Sequence, residues 1–142
     1  MLIKKLMHAV FCVTLSAPAL VQAAPQCPDS IPASSVKIAS PAAGWASYVA
    51  APLYLHAAAP MSGPPEMKGD LADFKETRGK GEWSYTYSLD GTFADGKWLQ
   101  CAYGEYNQVT LSQRLPDETQ ECKFTYRKGA KAGQHQIKIA CH

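Results

Sequence analysis

From residue 82 onward the chain alternates apolar and polar positions with a period of two. In "EWSYTYSL" (82–89), Trp83, Tyr85, Tyr87 and Leu89 fall on one side and Ser84, Thr86 and Ser88 on the other. That is the pattern of a half-buried strand. Asp90-Gly91 and Asp95-Gly96 punctuate a reversal. Further strands are predicted over "KWLQCAYG" (97–104), "QVTLSQRL" (108–115), "CKFTYR" (122–127) and "QIKIAC" (136–141). Five consecutive strands with short links predict an antiparallel meander. The front half is less regular. "SSVKIA" (34–39) reads as a strand, and "LYLHAAAPM" (53–61) reads as one with Leu53, Leu55, Ala57 and Ala59 inward, a helical turn over its Ala-rich run being the alternative. The expected fold class is all-β: a small disulfide-bonded antiparallel β-meander, sandwich- or barrel-like.

The first residues follow a different rule. "MLIKKLMHAVFCVTLSAPALVQA" has a basic head at Lys4 and Lys5, an apolar middle and a small-residue end at 21–23. That order predicts a secretory signal peptide over 1–23, followed by a single β domain over 24–142. The apolar run is short and broken by Pro18, which argues against a retained membrane anchor. No other stretch is apolar enough to cross a bilayer, so the processed chain is expected to be soluble and periplasmic or secreted. Cleavage leaves 142 − 23 = 119 residues, the size of one domain. It also removes two of the 14 cations, leaving 12 against 12 acids. A neutral domain offers no electrostatic basis for binding nucleic acid.

Cys12 leaves with the leader, and Cys27, Cys101, Cys122 and Cys141 remain. Four cysteines in an exported domain predict two disulfides. Metal binding is the rival reading, but no pair has Cys-x-x-Cys spacing. In a meander the strands of Cys101 and Cys122 have another between them, separating their backbones by roughly 9–10 Å. A disulfide needs Cα atoms within about 7 Å, which favours Cys27–Cys101 with Cys122–Cys141.

Catalytic patterns are sparse. Gly-x-Ser-x-Gly and His-Glu-x-x-His are both absent, and His56, His135 and His142 lie far apart along the chain. Asp70, Asp73 and Glu76 cluster, as a paired-acid hydrolase would require, yet acids on a solvated loop are the ordinary case. No cofactor, metal or catalytic residue is assigned, and the chain is read as a non-enzyme. Two surfaces remain as candidates. In "PMSGPPEMKGDLADFK" (60–75), Pro60, Pro64 and Pro65 fix the backbone and Gly63 supplies a bend. Met61 and Met67 add adaptable apolar contacts. Met61, Gly63, Pro64, Pro65, Glu66 and Met67 therefore form a candidate partner-binding loop. In the last hairpin, Lys123, Arg127 and Lys138 share the face opposite Phe124, Tyr126, Ile137 and Ile139. They suit an anionic partner or guard an exposed edge against strand pairing.

"CPDSI", "GW" (44–45), "GPPEMKGDL", "KWLQCAYG", "LSQRLP", "CKFTY" and the final "IACH" occur in this order. The chain thereby resembles a family of short exported proteobacterial proteins, some encoded near type VI secretion clusters. That resemblance implies a periplasmic immunity protein that blocks a cell-wall-degrading effector, such as a peptidoglycan hydrolase. The architecture is also similar to that of periplasmic lysozyme inhibitors. Their Ser-Gly-x-x-Tyr loop is absent, since Ser62-Gly63 is followed by Pro64, Pro65 and Glu66. An envelope-associated structural protein and a hydrolase stand as the alternatives.

Overall fold

The computed structural model describes residues 25–142, so the expected signal peptide lies outside the described residues. Eight strands carry the fold: β1 (Ser30–Ile31), β2 (Leu53–Ser62), β3 (Lys75–Arg78), β4 (Glu82–Ser88), β5 (Lys97–Tyr103), β6 (Val109–Arg114), β7 (Glu121–Lys128) and β8 (His135–Cys141). They form two four-stranded antiparallel sheets, ordered β1-β2-β5-β6 and β3-β4-β7-β8. The architecture is an all-β sandwich.

The five consecutive strands exist where their alternation places them, but they do not form one meander. β4 pairs with β7, from Glu82↔Arg127 to Ser88↔Glu121, and not with β5. The links before β5 and after β6 each carry the chain from one sheet to the other. Both crossings are anchored inside. Leu89 is fully buried and donates its N–H to Gln120 O (2.6 Å). Buried Lys97 donates from Nζ to Thr119 O (2.6 Å). Alternation sets which side of a strand is apolar and leaves its neighbour open. Aromatic cross-strand pairs choose the neighbour here, with Trp83 stacked on Tyr126 at 5.4 Å and Tyr87 edge-on to Phe124 at 5.7 Å.

Two front-half expectations are corrected. Residues 34–39 form no strand: a 3-10 turn spans Ala33–Ser35, and Ile38 is exposed. Alternation without a sheet edge to dock on yields irregular chain. In β2 the predicted inward set Leu53, Leu55, Ala57 and Ala59 holds only as far as Leu55. The register slips between Leu55 and Ala57, leaving His56 as an extra residue. A bulge of this kind shifts the parity of everything after it. Ala58 and Pro60 are buried in place of Ala57 and Ala59.

The core lies between the sheets and includes Leu55, Leu89, Leu99, Tyr103, Phe124 and Ile139. Each buried ring or branched side chain contributes about 1.5–3 kcal/mol. Cys27–Cys101 ties the N-terminal segment to β5, with Cα atoms 5.7 Å apart. Cys122–Cys141 joins directly opposed residues of β7 and β8. The predicted pairing holds, although Cys101 and Cys122 are kept apart by lying in different sheets, not by an intervening strand.

Polar contacts close one side of the sandwich around the β2 bulge. β1 is only two residues long, so most of that edge of β2 has no strand beside it. The Tyr126 hydroxyl, from the other sheet, occupies the position. It donates to Ala58 O (2.5 Å) and accepts from Ala58 N–H (3.0 Å). Two histidines add to the closure. Nδ1 of His56 donates to Gly133 O (2.6 Å) and Nδ1 of His135 donates to His56 O (2.5 Å). Both rings therefore carry the proton on Nδ1, because a carbonyl only accepts.

Candidate partner-binding surface

Residues 60–75 are clasped onto the end of β2. Gly63 turns the chain at φ +79° and donates its N–H to Gly96 O (2.9 Å). A 3-10 turn at Pro65–Met67 follows, with Pro at its first position. Lys68 reverses the chain in the left-handed region at φ 52°. Gly69 O then accepts the Ser62 N–H (2.8 Å), and Asp70 forms a bridge with Met61. A side chain at Gly69 has no room, since a Cβ there would lie 2.0 Å from the Ser62 carbonyl oxygen. The loop is stiff because its backbone is hydrogen-bonded to β2 and to Gly96 just before β5, as well as through its prolines.

This closure sorts the six loop residues singled out from the sequence. Met61 is 1% exposed, buried on the β2 face away from Ala58 and Pro60, and Gly63 is buried. Neither is available to a partner as the loop stands, which corrects their expected place at the tip. The reason is the β2 pairing, which carries Met61 into register with Trp98. Pro64 and Pro65 are half-buried, whereas Glu66, Met67 and Lys68 are exposed. The tip is therefore one apolar side chain between two opposite charges. Downstream, Leu71 packs against the core. Phe74, 47% exposed, leans edge-on against Tyr85 at 4.9 Å and sits 5.4 Å from Tyr87. Burial, then the neighbouring Tyr85 and Asp70, raises the Tyr87 phenol above its ordinary value.

The remaining candidates separate as well. Lys123, Arg127 and Lys138 are all exposed. Arg127 donates from Nε and Nη2 to Glu82 Oε2 (2.9 and 2.8 Å), so its charge is met on the neighbouring strand. Of the three loop acids, Asp70 and Asp73 are exposed and Glu76 pairs with Arg78. The histidines were read as scattered, yet His56 and His135 have ring centroids 4.9 Å apart. Only the closure of the two sheets brings them together. Among the described residues, no cluster of three or more His, Cys, Asp or Glu side chains is placed to hold a metal ion.

A second exposed surface was not among the candidate surfaces read from the sequence. Residues 36–52 carry no helix or strand, yet Trp45 is 75% and Tyr48 87% exposed. Lys37 is the only charged residue in that stretch. Large aromatics held in solvent mark contact surfaces. The signal available beforehand was "GWASY" inside a segment nearly free of charge.

Residues 50–142 match the family of type VI secretion system Tli immunity proteins. The chain belongs to that family. No curated protein and no solved structure matches it. Membership in the Tli immunity family implies a protein partner, the effector against which immunity is directed. The match takes in the 60–75 loop and the last hairpin, and it begins after Trp45 and Tyr48. Two disulfides are compatible with the periplasm. No helix among the described residues is long and apolar enough to cross a membrane.

Proposed function

We propose that this Tli family member is a periplasmic immunity protein that binds a toxic type VI effector and blocks it without catalysis of its own. Family membership carries the reading. The disulfides support the compartment, because such bonds persist where thiols are not kept reduced. The contact runs through the tip of the 63–71 loop, where Met67 is flanked by Glu66 and Lys68 on a backbone that loses little entropy on binding. The finer part of the proposal is the target class, an enzyme that degrades the cell wall. The periplasm exposes that polymer to any delivered hydrolase, and an inhibitor there acts before damage is done.

The test is co-purification of the processed protein with type VI effectors offered as bait, followed by digestion of purified peptidoglycan by the effector it retains. The expected result is a stable complex and loss of digestion on adding the immunity protein. Glu66→Ala with Met67→Ala should leave folding intact and weaken the complex by roughly tenfold or more, the size of one central contact. Inhibition of a lipid- or protein-degrading activity, with peptidoglycan untouched, reassigns the target class. Full-strength binding by the loop variant moves the contact elsewhere. Trp45→Ala and Tyr48→Ala, then Lys123→Glu with Lys138→Glu, decide between the two other surfaces.

A further inference from the structure

The edges of the two sheets are not treated alike. β1 is too short to template another chain. β3 carries Lys75, Glu76 and Arg78 among its four residues. β8 is covered by the side chain of Gln26, which accepts from Ile139 N–H (3.1 Å) and donates to Ile139 O (2.8 Å). Each is a recognised way of blunting an edge. β6 has only one charge, Arg114, at its last residue. It runs straight against β5 with no slip from Trp98↔Arg114 to Tyr103↔Val109, and residues 109–113 contain no charge and no proline.

The pairing pattern identifies which β6 groups face outward. Leu115 lies opposite Lys97 in the continued register and donates its N–H to Lys97 O (2.8 Å). Alternation along an antiparallel ladder then turns Val109, Leu111 and Gln113 toward β5 and the backbone groups of Thr110, Ser112 and Arg114 away from it. Among the described residues nothing accepts from or donates to those outward backbone groups. Beside them Leu111 remains 43% exposed, and Ser112 Oγ is buried without a hydrogen-bond partner.

We infer that β6 is a self-association edge, on which a second copy of this chain pairs its own β6 in antiparallel orientation and joins the two four-stranded sheets into one. The occupant follows from self-complementarity. With Leu111 opposite the second copy's Leu111, the half-exposed leucines meet at a narrow, non-hydrogen-bonded position where side chains approach most closely. Thr110 then faces the second copy's Ser112, and each such pair exchanges its outward N–H and C=O groups. Arg114 faces the second copy's Gln108, so no like charges oppose. A register one step further, with Ser112 opposite itself, sets Leu111 against Gln113 and leaves the apolar surface poorly matched.

Sedimentation velocity of the processed protein over a concentration series tests this, with hydrogen exchange reporting the Thr110 and Ser112 amides. The expected result is a reversible dimer whose formation protects both amides. Thr110→Pro removes one outward donor that no other strand uses, and Leu111→Lys places charges face to face. Each should weaken the dimer by at least ~10-fold while the thermal melt stays nearly unchanged. Two variants are specified so that failure of one to fold still leaves the other. A wild-type protein that stays monomeric throughout overturns the inference, as does a dimer that survives in a folded variant. A monomer whose effector complex is lost in Thr110→Pro also overturns it, and assigns the edge to a strand of the effector.

Discussion

Replacing Tyr126 by Phe removes one oxygen atom and should cost more than an average hydrogen bond. The hydroxyl serves both Ala58 N–H and Ala58 O, and it bridges β7 of one sheet to β2 of the other. Ala58 is 3% exposed and Tyr126 5%, so water does not easily take the vacated place. An orphaned buried backbone group costs about 1–3 kcal/mol. Two such groups, partly offset because the Phe ring is easier to bury, give a loss of about 2–4 kcal/mol. For a domain of this size that is a fall in melting temperature of roughly 8–15 °C. Thermal unfolding followed by circular dichroism, with disulfides intact, measures it. Hydrogen exchange at the Ala58 amide should accelerate in the same variant. A shift of under about 2 °C would refute the argument, because a loss that small means the backbone of β2 finds other partners.

Three further outcomes follow from the same geometry. Gly69→Ala should destabilise by about 1–3 kcal/mol in chemical denaturation, because its methyl meets the Ser62 carbonyl and backbone must shift; wild-type stability would mean that the loop clasp is not rigid. Removing Cys27–Cys101, which spans 74 residues, should cost about 4 kcal/mol, against about 3 kcal/mol for Cys122–Cys141, which spans 19. Paired Ala variants compared by urea unfolding check the order, and the reverse order counts against the loop-entropy account. Burial pushes the Tyr126 and Tyr103 phenols up to about 12, with Asp29 contributing at Tyr103. Unfolded tyrosines ionise near about pH 10, so the unfolded chain releases protons that the folded chain still holds. Stability should be full below about pH 10 and fall as pH rises toward about 12. Denaturation midpoints unchanged across that window would contradict the burial of these rings.

Much of this protein was settled locally. Period-two alternation in "EWSYTYS", "KWLQCAY" and "CKFTYR" marks strands because a pleated chain turns successive side chains to opposite faces. Four cysteines in a domain read as exported predicted their oxidation, and the hairpin of β7 and β8 sets Cys122 against Cys141 because its loop determines the register. Pro64 and Pro65 marked a stiff loop without any knowledge of what lay beneath it. What the alternation lacked was the identity of each strand's neighbour, since an apolar face fits any apolar face of the right size. Docking between sheets therefore paired β4 with β7, and it carried β5 and β6 to the opposite layer. One extra residue at His56 reversed the parity of β2, placing Ala58 under the Tyr126 hydroxyl. The same packing left Trp45 and Tyr48 in solvent and β6 with a strand on one side only. Exposure is a property of what packs on a residue, and that depends on chain segments far away in sequence.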